Sequence, residues 1–412
     1  MATYLVCIAI LLILLSVASP ALAEEQEPDL KQLVKGNNTF ALDLYSILKE
    51  EKGNLFLSPY SISSALAMTY SGARGDTAKE MAEALHFGLG TDRTHPAFAE
   101  LNTIFNEIQK KGHVQLHIAN SLWPQKDYHL LPEYLALIKQ HYGVSITPVD
   151  YVKATEQARE IINRWVEDKT KGKIKDLIRQ GNLNYLTTLV LVNAIYFKGK
   201  WASPFDPKDT DESDVFCPSE YREVQVSMMY QKGKFGYAEI KGAQLLELPY
   251  MGKQLSMVII LPEKVVGLPE IENRLTEKNL EAWLSRLSQQ DVKVYLPKFN
   301  VTWGTFDLMR PLQASGMRKA FNLKRANFSG IDGTKNLFIS SVFHKTFIEV
   351  NEEGTEAAAA TAVVEDWGAL YAEPALFTLF EADHPFLFLI RDNVTKSILF
   401  LGRVVDPSKD QG

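Results

Sequence analysis

Apolar residues recur along this chain with two periods, and each predicts a different element. From Asn38 to Lys49, Phe40, Leu42, Leu44, Ile47 and Leu48 supply one apolar face, which predicts a helix. From Gly53 to Met68 a buried strand runs into a helix, with Ser58 as N-cap and Pro59 at the first helical position. Thr77 and Glu80 have the spacing of a capping box. His113 to Trp123 alternates as a strand, and stretches within 246–250, 256–262 and 292–299 add further strands. Thr187 to Trp201 is a long β-branched apolar run, expected as a central strand buried on both faces. Asn193 sits in its middle and must find partners there or cost about 1–3 kcal/mol.

Near the end the pattern changes. Phe343 to Val350 alternates as a strand, and Gly354 then interrupts it. Thr355 to Ala362 are small residues, followed by Val363 and Val364. Polyalanine suggests a helix, but no apolar face is wide enough to bury, and Thr361 and the valines favour strand. Two readings stay open: a flexible connector, or a loop able to slide between two paired strands. Large side chains would bar that sliding at about 1–3 kcal/mol each. Residues 367–374 carry no period and end in Pro374, and 385–405 predicts a buried hairpin turning at Asp392 and Asn393.

Composition narrows the class. With 412 residues, 46% apolar and 23% charged, the chain is long enough for a substantial core. A net charge of −6 gives no support to a nucleic-acid partner. Tyr4 to Val17 is apolar but too short to span a bilayer. It ends in Ala21-Leu22-Ala23, so residues 1–23 read as a signal peptide and the protein as secreted, with no membrane association once the leader is removed. The missing Lys or Arg before that run leaves a retained anchor as the alternative. Residues 24–30 read as an acidic tail and 408–412 as a C-terminal one. Cys7 leaves with the leader, and Cys217 alone permits no internal disulfide. Glycosylation sequons occur at Asn37, Asn300, Asn327 and Asn393.

Catalytic motifs are missing: there is no Gly-x-Ser-x-Gly elbow, no His-Glu-x-x-His and no phosphate-binding loop. His113 and His117 share a strand face, but no third metal ligand has useful spacing, so neither metal nor cofactor is expected. Lys169, Lys171, Lys173 and Lys175 could meet a polyanion, but Glu167, Asp168 and Asp176 dilute the field and a solvated face is the simpler reading.

The phrase Asn351-Glu352-Glu353-Gly354-Thr355-Glu356-Ala357-Ala358-Ala359, with Pro385 to Ile390 and the Ser58-Pro59 strand-to-helix junction, closely resembles the serpins. The resemblance covers residues 31–407 as one domain. It implies an α+β fold of about three β-sheets and about nine helices, with an exposed reactive-centre loop able to insert into the main sheet. It implies a protease inhibitor, not an enzyme, acting as a suicide substrate. A serine endopeptidase cuts the loop and is held as an acyl-enzyme while the loop inserts. About fourteen residues at about 3.3 Å each would carry the protease about 45 Å.

The resemblance also assigns residues. Gly354, Thr355, Glu356, Ala357, Ala358, Ala359 and Ala360 match the hinge, and Ser58, Ser61, Asn193 and His344 match the shutter beneath the opening sheet. Counting the usual loop length from Thr355 places the reactive bond at Gly368–Ala369, with Leu370 and Tyr371 as alternatives. No Lys or Arg lies between Gly354 and Asp383, which points to elastase-, chymotrypsin- or subtilisin-like targets and away from trypsin-like ones. The expected state is a monomer prone to loop-sheet polymerisation. The alternative is a serpin-fold carrier, chaperone or storage protein.

Overall fold

The computed structural model describes residues 20–144, 146–355 and 377–409. Strands are numbered in chain order. A five-stranded sheet holds β2 (Val114–Pro124), β3 (Leu189–Lys200), β9 (Phe299–Asp307), β10 (Ser341–Val350) and β11 (Gly354–Thr355). A nine-stranded sheet holds β1 (Leu55–Leu57), β4 (Asp211–Ser219), β5 (Arg222–Ile240), β6 (Ala243–Pro249) and β7 (Leu255–Pro262). It also holds β8 (Ser288–Pro297), β12 (Thr378–Glu381), β13 (Phe386–Asp392) and β14 (Ile398–Val404). Ten α-helices accompany them among the described residues, so the α+β class expected from the resemblance is the observed one. Two of the three implied sheets are bonded into one surface because β5 runs through both. It pairs with β8 along Met228–Tyr237 and with β6 from Gly236 onward.

The apolar run at 189–200 is buried on both faces for a simple geometric reason: side chains alternate across a strand. Leu189, Leu191, Ile195 and Phe197 enter the main core. Val190, Val192, Ala194 and Tyr196 join a second cluster with Ile162 and Val166 of the helix Thr155–Lys169. β10 divides the same way, with Val342 and Ile348 in the main core and Phe343 and Phe347 in the second cluster. Its polar residues are therefore buried too, although their alternation suggests one exposed face. Lys345 Nζ donates to Lys175 O at 3.0 Å, and Thr346 Oγ1 donates to Phe56 O at 2.6 Å.

Two expectations need correction. The helix preceding β1 runs from Pro20 to Leu48, so residues 24–30 are not an unpatterned tail. Pro28 and the acidic residues hide the apolar stripe, which begins at buried Leu30 and continues through Leu33 and Val34, while Asp29 pairs with Arg93. Thr77 and Glu80 do not form a capping box either, because their helix starts earlier, at Gly75. Thr77 Oγ1 accepts from Asn327 N at 3.0 Å, and Glu80 accepts from Arg318 N and Lys319 N at 2.9 and 2.6 Å. Both side chains hold the 318–327 loop.

The end of the long N-terminal helix is locked to the hairpin β13–β14 by one buried cation. Arg403 donates to the carbonyls of Lys49, Glu51 and Gly53 and pairs with Glu272 at 2.8 Å. Tyr45 Oη donates to the same carboxylate at 2.7 Å. Arg403→Met leaves the buried Glu272 charge without its cation, a loss of about 3–5 kcal/mol. The expected result is a lower urea midpoint followed by tryptophan fluorescence; Lys234→Gln, which breaks an exposed pair with Asp291, should hardly move it.

Candidate functional site

β3 and β10 run parallel and are paired along only part of their length. Seven rungs join them, from Ser341–Val190 to Phe347–Tyr196. Beyond that rung each strand stays with its outer neighbour: Ile348 to Val350 pair with β9, and Phe197 to Gly199 pair with β2. The sheet is therefore closed below and open above.

The chain itself enters the top of that opening. After Val350 it turns tightly, with Asn351 N donating to Gly354 O at 2.9 Å and Gly354 N to Asn351 O at 3.2 Å. Gly354 and Thr355 then pair antiparallel with Lys200 and Gly199 as β11. Gly354 has φ +144°, and a Cβ there would lie 2.1 Å from Gly199 O, so only glycine fits. Thr355 is fully buried, its Oγ1 3.3 Å from Tyr250 Oη. The turn is anchored by groups the sequence reading did not single out. Trp201 stacks on Tyr250 and donates Nε1–H to Asn351 O at 3.0 Å. Glu352 accepts from Lys298 Nζ and Thr210 Oγ1 at 3.1 and 3.0 Å. Burial alone would raise the Glu352 carboxyl; its own backbone N–H, Lys298 and Thr210 outweigh this and hold it below the usual range.

Lower down, the structure brings Ser58, Ser61, Asn193 and His344 together in the main core. His344 and Asn193 are opposite each other in the β3–β10 register. Nε2 of His344 accepts the Ser58 N–H at 3.4 Å, which leaves Nδ1–H to donate to Asn193 Oδ1. Asn193 Nδ2 donates to Ser61 Oγ and to Asn120 Oδ1. Ser58 Oγ caps the helix Pro59–Tyr70 by accepting from Ser61 N, and donates to Leu399 O at 2.7 Å. Asn120 is the member missed from sequence; its signal was a second mid-strand amide, in β2, which the register sets beside Asn193. Burial holds the His344 imidazole neutral, its pKa pushed down to about 3 against the opposing effect of the Asn193 bond.

Of the hinge residues, Glu356, Ala357, Ala358, Ala359 and Ala360 lie outside the described residues, as do Gly368, Ala369, Leu370 and Tyr371. The chain resumes at Phe377, and β12 pairs parallel with β8, so the two ends of that segment are fixed on different sheets. Lys173 lies over the Phe347 and Tyr196 rings, 5.2 and 5.8 Å from their centroids, and 3.6 Å from Glu349; Lys175 pairs with Glu167. Lys173 thus serves the fold, while the Lys175 pair is solvent-exposed. His117 stacks on Tyr196, and no group of three metal-ligating side chains exists among the described residues. Burial, then Asp383 and Glu223, push the Cys217 thiol up, away from a reactive thiolate.

Two measurements test this geometry. An unfolded histidine takes up its proton near pH 6.5, whereas folded His344 resists until about pH 3. Between those values the unfolded chain binds more protons, so stability falls as pH falls. His95 is also held down, to about 4, so the readout is a difference: His344→Gln should flatten the loss of urea midpoint between pH 6.5 and 4 relative to wild type. Equal slopes would mean His344 does not carry it. Gly354→Ala should expel β11; amide exchange at 351–355 then rises at least tenfold while 341–347 stays protected.

Comparison with known proteins places this arrangement. Residues 35–407 match the model of the family described as serpin (serine protease inhibitor). The chain is 44% identical to leukocyte elastase inhibitor A of Rattus norvegicus over 389 residues, covering 92% of this chain and all of the relative. It is 43% identical to the Homo sapiens leukocyte elastase inhibitor with the same coverage. Among solved structures it superimposes on uncleaved ovalbumin with TM-score 0.81 and 32% identity, covering 91% of this chain and all of that one. Human thyroxine-binding globulin gives 0.84 and 32%, covering 92% and 100%. The chain belongs to the serpin family and is a protease inhibitor, not an enzyme.

Proposed function

We propose that this serpin is a secreted suicide substrate that traps serine endopeptidases of elastase-, chymotrypsin- or subtilisin-like specificity. One observation carries the reading: Thr355 is already paired at the mouth of an opening that ends seven rungs above the base of the sheet. The elastase inhibitors named among the relatives support the target class. The apolar run ending in Ala21-Leu22-Ala23 is what supports a leader confined to residues 1–23.

The geometry gives insertion a register. β11 sets Thr355 against Gly199, so continuing residue by residue brings Ala357 opposite Phe197, Ala359 opposite Ile195, Thr361 opposite Asn193 and Val363 opposite Leu191. Opposed residues share a face, so these small side chains enter the main core, and Thr361 arrives where Asn193 must surrender His344. Glu365 would fall opposite Leu189, which sets a natural stop. In the chemical step the protease serine oxygen attacks the loop carbonyl, the acyl ester forms, and the peptide C–N bond breaks with the amine leaving as a new N-terminus. With Gly368–Ala369 as the bond, the acyl group sits on Gly368 and follows the loop into the sheet. Misplacement of the protease then stalls hydrolysis.

A second reading, a serpin-fold carrier, draws on a cleft of about 310 Å³ lined by Leu42, Leu280, Leu284, Ile398, Arg391 and Lys396 and on the likeness to thyroxine-binding globulin. Incubation with elastase, chymotrypsin, subtilisin and trypsin, then boiling and denaturing electrophoresis, separates the two. The first three should give a boil-resistant band at the summed mass and release a peptide cut within 367–372; trypsin should not. Thr355→Arg, which puts a cation at a fully buried position, should convert the inhibitor to a substrate with complex reduced at least tenfold. Cleavage without a band in the wild type would establish the carrier reading instead.

A further inference from the structure

Four sequons are present, and the fold treats their asparagines differently. Asn37 is 2% exposed, and its Oδ1 accepts from buried Ser63 Oγ at 2.7 Å. Its Nδ2, the atom a sugar would take, is enclosed without a partner. Asn393 uses that same atom twice, donating to Lys253 O at 3.0 Å and to buried Ser256 Oγ at 2.7 Å. A glycosylated amide nitrogen keeps one hydrogen, so it cannot make both bonds, and the two acceptors occupy the space the sugar needs. Asn327 is half-buried with its Oδ1 holding Ser329 N at 3.2 Å, and the inference concerns the other three.

Asn300 differs from them all. It is exposed on β9, an edge strand of the five-stranded sheet, with Val301 turned into the core beside it. Its side chain makes no hydrogen bond among the described residues, so modification displaces nothing. We infer that Asn300 is an N-glycosylation site of this protein, and that Asn37 and Asn393 remain bare in the folded molecule. The inference rests on the reading of a secreted chain. The transfer is made by the host: the C–O bond linking an oligosaccharide to its lipid pyrophosphate breaks and a C–N bond to Asn300 Nδ2 forms. The amide loses one proton, and the lipid pyrophosphate leaves. It precedes folding, so the burial of Thr302 in the finished strand is no obstacle, whereas a sugar on Asn37 or Asn393 would have to be buried with it. The glycan would stand over an edge strand, where a bulky polar group opposes strand addition by a second chain.

The test expresses the full chain in a eukaryotic cell line, once with its own leader and once with residues 1–23 replaced by an established cleaved leader. Secreted protein is treated with peptide N-glycosidase in heavy-oxygen water, which converts each glycosylated asparagine to a mass-tagged aspartate, and its peptides are mapped. The expected result is a tag at Asn300 and none at Asn37 or Asn393. A secreted, protease-resistant chain untagged at Asn300, or tagged at Asn37 or Asn393, overturns the inference. If only the exchanged leader gives secretion and Asn300 is tagged, the site stands and the secretion reading falls.

Discussion

Everything in this molecule turns on the parallel pairing of β3 with β10, which stops at Tyr196 and Phe347. Both strands continue past that rung, and both keep their outer partners, so the opening is not a frayed end. Each side of the opening keeps a ladder to its outer neighbour. Backbone N–H and C=O groups facing such a gap are strong, unsatisfied hydrogen-bonding groups. β11 satisfies the uppermost of them, and any strand of compatible side chains can satisfy the rest. In the proposed mechanism, the residues that follow Thr355 in sequence supply that strand.

The closed part of the sheet is held by forces of two kinds. On the helix side, Phe347 and Tyr196 pack together under Lys173, at the last closed rung. On the core side, the bond between His344 and Asn193 spans the same two strands four rungs from the base. An apolar pair at that position would resist separation without offering anything to an incoming strand. A polar pair can exchange one partner for another: in the proposed insertion, a hydroxyl arriving opposite Asn193 would replace the bond that His344 gives up. The neutral imidazole matters for the same reason: a protonated ring could not accept the Ser58 N–H, and its charge would be costly in that core.

Much of this was legible in the sequence where a residue's requirement is local. Ser58 followed by Pro59 announces a helix start, and Gly354 after a strand announces a backbone that other residues cannot adopt. Asn193 within an apolar run demands partners, though it does not name them. What escaped was set by register and tertiary pairing. Asn120 is an ordinary strand residue until β2 is placed against β3, and Glu352 is an ordinary surface acid until Lys298 and Thr210 arrive. Thr77 and Glu80 fit a local capping rule, yet the loop at 318–327 competes for both side chains and wins. The early start of the first helix was hidden because Leu30, Leu33 and Val34 are too few for a period and acquire meaning only against the core.

The small side chains after Gly354 take their significance from the same register. A flexible connector needs no particular parity, whereas an inserted strand needs every second residue to fit a packed core. In the proposed insertion, Ala357, Ala359, Thr361 and Val363 would fall opposite Phe197, Ile195, Asn193 and Leu191, in order of non-decreasing bulk along the insert. At the mouth the core side holds Tyr250 and Phe197, which pack edge to face, and Thr355 lies against Tyr250 with Oγ1 3.3 Å from its Oη. Further down, the proposed separation of β3 from β10 would create the space that threonine and valine fill. The proposed insertion gives that alternation of small and β-branched residues a reason, which a connector chosen for flexibility alone has no need of.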